Sequence, residues 1–144
     1  MAFASALQPL RCPLANVNER ADRVMRKLGD VHGRIAVGIT HRRQKIAACG
    51  FAPLLDAVII SEEAGVTKPD PRIFNLALDA LGRSPEDAVM IGDAWDTDIA
   101  GAQAAGIRPI WFNRFGAASP DPSVTEIRAL KPAASVVSLI VTSA

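Results

Sequence analysis

Cysteine is scarce in this chain: Cys12 and Cys49 are the two, far apart and in no metal-ligand spacing. Neither a disulfide nor a zinc site is expected, and Cys49 reads as a small buried hydrophobe. No apolar run approaches the roughly 18 residues that would span a bilayer. The opening stretch "MAFASALQPLRCPLA" lacks the basic start and long apolar run of a secretory signal, and its single Arg11 makes a poor transit peptide. A cytoplasmic protein with no membrane partner is the expectation. An excess of one charge is missing too, since 16 basic and 15 acidic side chains leave a net +1. No overall field draws nucleic acid or an anionic surface, so partners must be argued locally. Repeats and low-complexity tracts are absent as well. What is present is 144 residues, 49% of them hydrophobic, enough to fill the core of a single domain over 1–144, with 1–16 a poorly defined leading segment.

The apolar pattern then sets the order of elements. Val17, Ala21, Val24, Met25 and Leu28 recur at helical spacing opposite a charged face. Short apolar runs at 34–40, 54–60, 87–93 and 107–112 read as buried strands. Between them, "HRRQKIAACG" suggests a helix ending at Gly50, and 97–106 an alanine-rich helix stopped by glycine. The segment 71–81 is a helix with Ile73, Phe74, Ala77, Leu78 and Leu81 on one face, Asp70 as its N-cap and Pro71 at its first position. Strand and helix alternating at this spacing call for right-handed crossovers, hence a parallel sheet with helices on both faces, a three-layer α/β/α Rossmann-like fold. "RFGAASPDPS" is a loop, and the closing "ASVVSLIVTSA" fits helix or strand.

In such a sheet ligands bind beyond the carboxyl ends of the strands. Three polar features fall there. Thr40 closes the first strand, Lys68 follows the second in "GVTKPDPRIF", and Asp93 closes the third in "IGDAWDTDIAGAQAAG", with Asp96 and Asp98 behind it. A hydroxyl, a cation and a carboxylate cluster on one rim suit a phosphate held with a hard divalent metal, because Mg2+ takes oxygen ligands and only one or two carboxylates. Pro69 restricts the backbone of Lys68, so the side chain is aimed by the chain. Taken singly, each residue has a plainer role as strand end, solvated charge, turn residue or helix cap. Only their joint placement points to chemistry.

The run from Ile59 to Arg114, with a lysine before "PDPRIF" and then "GDxxxxD", resembles the haloacid dehalogenase-like (HAD) hydrolases in their phosphatase and dehalogenase-like branch. The resemblance extends more weakly from about Val17 to about residue 141. It implies an Mg2+-dependent hydrolase of a small phosphorylated metabolite. Thr40 and Lys68 would bind the substrate, Lys68 and Asp98 would be catalytic, and Asp93 and Asp98 would hold the metal. Asp96 lies in the motif without an assigned role.

What this chain lacks of that family is the first motif, an apolar strand ending in "DxDxT" whose first aspartate attacks phosphorus. Asp22 and Asp30, the aspartates before Thr40, follow no apolar strand, and His41 stands where the family usually has asparagine. The family's cap region is absent also. In the family the missing strand is central, between those ending at Thr40 and at Asp93. The gap is expected to be filled by its flanking strands closing, by residues 2–7, or by a strand of another chain through self-association, since buried unpaired backbone groups cost about 1–3 kcal/mol each. Two functions stay open: a hydrolase inactive as this chain alone, or a non-catalytic binding module that keeps an anion pocket.

Overall fold

The computed structural model describes residues 36–39, as backbone, and 55–141. Along the chain run β1 (Ala36–Ile39), β2 (Ala57–Ile60), the single turn α1 (Ser61–Ala64), α2 (Pro71–Leu81), β3 (Val89–Gly92), a π-helical turn (Trp95–Ile99) that leads into α3 (Ala100–Ala104), β4 (Arg108–Phe112), β5 (Thr125–Ile127) and α4 (Ala133–Val141). The four expected strands and the 71–81 helix stand where apolar patterning put them. The expected helices before β1 and between β1 and β2, together with Cys12, Cys49 and residues 2–7, lie outside the described residues.

Local chemistry accounts for these elements. Asp70 accepts a hydrogen bond from the Arg72 backbone N–H at 2.9 Å, and Pro71 occupies the first turn, where a missing N–H costs nothing. At the end of the chain α4 resolves the helix-or-strand ambiguity in favour of helix. It packs Ala133 and Val136 on the sheet at the three-residue spacing of one helix face.

The alternation of side chains along the strands makes the layers. From β3, Val89 and Ile91 face α4 together with Ile110, Phe112 and Ile127. Met90 points the other way, into a cluster built by Ile73, Phe74 and Leu78 of α2 and Ala102 of α3, which Ile59 of β2 joins. Each such aliphatic or aromatic side chain, fully buried, contributes about 1.5–3 kcal/mol. A third cluster of Ile99, Trp111 and Val124, with Trp95 packed on it, sits at the carboxyl end of β3 and β4. The result is the expected α/β/α sandwich.

All the ladders among the described residues are parallel. β1 pairs with β2 in the register Ala36↔Ala57 to Ile39↔Ile60. β4 pairs with β3 on one side and with β5 on the other. Between the two pieces there is no ladder among the described residues, so the flanking strands have not closed on each other. All four residues of β3 are only half-buried, whereas β4 has Ile110 and Trp111 buried. Helix α2 packs against β1 and β2 and also reaches Met90, and so spans the break.

Candidate anion and metal site

Lys68 sits at the centre of a turn closed by the Asp70 N–H on the Thr67 carbonyl at 3.0 Å, and the Lys68–Pro69 peptide is cis. From there its ammonium donates to Asp98 Oδ1 at 2.5 Å. The side chains are 15% and 7% exposed. Lys68 follows β2 and Asp98 follows β3, so this ion pair joins residues from the two separate ladders at one rim.

Asp98 reaches that position because the chain after β3 widens. The Asp98 and Ile99 N–H groups both approach the Ala94 carbonyl, at 2.8 and 3.4 Å, which is the extra-residue turn often found where side chains are re-aimed for function. Asp98 does not cap a helix. Its Oδ2 instead accepts the backbone N–H of Ala94 at 3.2 Å.

Two glycines make the room. A Cβ at Gly92 would fall on the Asp98 side chain, and one at Gly101 would meet the Phe74 ring at 2.7 Å and Pro69 Cα at 3.2 Å. Gly92 therefore lets Asp98 lie against the end of β3, and Gly101 lets α3 close on the turn that presents Lys68. Ile99, fully buried, anchors the same turn.

Asp93 and Asp96 differ from Asp98 in being exposed. The Asp93 carboxylate takes part in no hydrogen bond or ion pair among the described residues, while its backbone carbonyl accepts the Trp111 indole N–H at 3.2 Å. No group of three His, Cys, Asp or Glu is clustered among the described residues. The Asp93 and Asp98 carboxylates are hard oxygen donors of the kind Mg2+ prefers. Ser61, the first residue after β2, has a buried hydroxyl without a partner among the described residues.

The rim therefore gathers Lys68 and Asp98, with Asp93 at the start of the turn that carries Asp98. Thr40 and His41 lie outside the described residues, but β1 and β2 end side by side at Ile39 and Ile60. Sequence reasoning missed Gly92, Gly101, Trp111 and the Ala94 N–H. The glycines stood in the quoted motif, yet nothing in their spacing says which side chain needs the space.

A family model for haloacid dehalogenase-like hydrolases matches residues 19–106, more than half of the chain. This chain belongs to the haloacid dehalogenase-like hydrolases. Among curated haloacid dehalogenase-like relatives, it is 42% identical over 92 residues to the phosphoserine phosphatase of Thermus thermophilus, which covers 60% of this chain and 37% of that protein. It is 39% identical over 99 residues to human N-acylneuraminate-9-phosphatase, covering 62% of this chain and 40% of the other. The chain thus spans well under half the length of these relatives. Among solved structures, the HAD phosphatase of Thermococcus onnurineus superposes with a TM-score of 0.75 at 26% identity, over 86% of this chain and 62% of that one. The 2-haloacid dehalogenase of Pseudomonas syringae does so with 0.74 at 30% identity, over 83% and 52%. No helix among the described residues is long and apolar enough to cross a membrane.

Proposed function

We propose that this chain supplies the cation and metal-binding half of an Mg2+-dependent phosphate monoester hydrolase site, and that it does not turn substrate over unaided. The observation that carries the reading is the ion pair between Lys68 and Asp98 at 2.5 Å, which sets an ammonium at the carboxyl rim of both ladders. Phosphoryl chemistry asks a protein mainly for positioning and charge neutralisation, and these are the roles left to the residues at this rim. Lys68 holds a phosphate oxygen as a point charge, kept in place by Asp98 rather than left to solvent. Asp93, exposed and without a side-chain partner among the described residues, would hold Mg2+, with Asp98 completing the acidic side. When bound, the metal would neutralise the phosphate and orient it. Thr40 would add a hydroxyl to the same anion. An attacking group is lacking in this reading, because the chain has no DxDxT motif and both Asp98 oxygens are occupied.

Phosphatase relatives support a small phosphorylated metabolite as the ligand, and a second copy of the chain is the proposed partner for the two pieces, which no ladder joins among the described residues. The test uses an aryl phosphate with Mg2+, followed by calorimetric titration of inorganic phosphate. Expected are negligible turnover and measurable anion binding that is lost in Lys68→Met. Robust turnover abolished by Asp93→Asn would show an attacking group elsewhere in the chain.

A further inference from the structure

Asp93 poses a problem of control. It is exposed and its carboxylate is not held by another side chain among the described residues, yet a metal ligand works only if its backbone is fixed. Three hydrogen bonds restrain this stretch: Trp111 Nε1 to the Asp93 carbonyl at 3.2 Å, the Ala94 N–H to Asp98 Oδ2 at 3.2 Å, and the Asp98 N–H to the Ala94 carbonyl at 2.8 Å. Only the first acts on Asp93 itself. We propose that Trp111 is the positioning residue for Asp93, setting through its indole N–H the direction from which that carboxylate meets a divalent cation.

The surroundings of Trp111 suit this role. Its side chain is buried at 5% exposure among Ile99 and Val124, and Trp95 stands edge-on to it with ring centroids 4.9 Å apart and planes at 80°. The indole can donate but not accept, so it has one polar use, and burial leaves the Asp93 carbonyl to receive it. Trp111 also lies in β4, opposite Gly92 in the ladder. The hydrogen bond therefore ties Asp93 to the rigid centre of the three-stranded sheet rather than to another loop.

This inference rests on the metal reading of Asp93, and the experiment separates the two. Trp95 and Trp111 are the only tryptophans in the chain, so intrinsic fluorescence reports on this turn alone. The full chain is titrated with Mg2+, by fluorescence and by calorimetry. Trp111→Phe keeps most of the apolar volume and removes the donor. The expected result is about tenfold weaker Mg2+ binding, the size of effect seen when a group that orients a ligand is lost, with a cooperative thermal transition retained and Trp95 as the remaining fluorophore. Trp111→Phe binding Mg2+ as tightly as the wild type overturns the proposal. Should that variant not fold, the wild type decides. With 15N labelling, the Trp111 indole N–H resonance is expected to shift along the same Mg2+ titration curve as the Asp93 amide, and an indole signal that stays still while Asp93 moves is the overturning result. A wild-type chain that binds no Mg2+ removes the metal reading and the positioning role with it, whereas unchanged affinity in Trp111→Phe removes the positioning role alone.

Discussion

The three-stranded and two-stranded ladders are held in different ways. β3–β4–β5 is backed on one face by α4 and on the other by α2, α3 and the π-helical turn, with side chains alternating into both clusters. β2 brings Ile59 to the α2 layer, and its next residue, Ile60, is buried as well. Yet the rim draws its ammonium from the smaller piece and its carboxylates from the larger. Where no ladder joins the two pieces among the described residues, other contacts must tie the site. Here the ties are the apolar face of α2 and the ion pair of Lys68 with Asp98.

Breaking the first tie should have the largest effect. Phe74, 5% exposed, belongs to the one cluster that takes Ile59 from the smaller piece and Met90 from the larger, and Phe74→Ala should cost about 4 kcal/mol. Urea unfolding would measure it; a loss below about 1 kcal/mol would mean that α2 does not hold the pieces together. The second tie is weaker. Asp98→Ala leaves a largely buried ammonium unpaired and should cost about 3 kcal/mol, part of which Asp98→Ala with Lys68→Met together should recover. A double-mutant cycle sharpens the comparison, because additivity would show that the ion pair contributes nothing across the break.

The smallest effect is an acid one, on the cap of α2. The Asp70 carboxyl is held below its ordinary value of 3.8 by the Arg72 side chain first and the Arg72 backbone N–H second. A depressed carboxylate adds stability that is present above the unfolded value and lost as pH falls through the lower folded one. Wild-type chain and Asp70→Asn, which keeps a capping oxygen, should therefore differ slightly in melting temperature above pH 3.8 and converge in stronger acid. Scanning calorimetry across that range decides it, and parallel curves would remove Asp70 as the cause.

Much of this fold could be read from the residues because its strands are short apolar runs closed by polar ones, and its α2 helix is announced by Asp70, Pro71 and a regular apolar stripe. β5 was not legible. Thr125, Glu126 and Ile127 are too few to show an alternation, and they become a strand by pairing with β4. The site divides in the same way. Lys68, Asp93 and Asp98 could be singled out by residue type and by following the ends of β2 and β3, while the chemistry assigned to them belongs to the proposal. Trp111 contributes a single N–H that acquires meaning only when β4 lies beside β3, and Ala94 acts through its backbone, which any residue has. Ser61 is similar, since its hydroxyl, without a partner among the described residues, can be recognised as such only once its neighbours are in place.

Gly101 couples the core to the rim. Its missing side chain is shared by Phe74, which belongs to the core, and by Pro69, which adjoins the ammonium-bearing residue. Anyone redesigning the proposed anion site by enlarging this position would strain the interior in the same stroke, so any ligand preference and heat tolerance are expected to move together in variants of α3 and to be separable only by changes on the exposed rim.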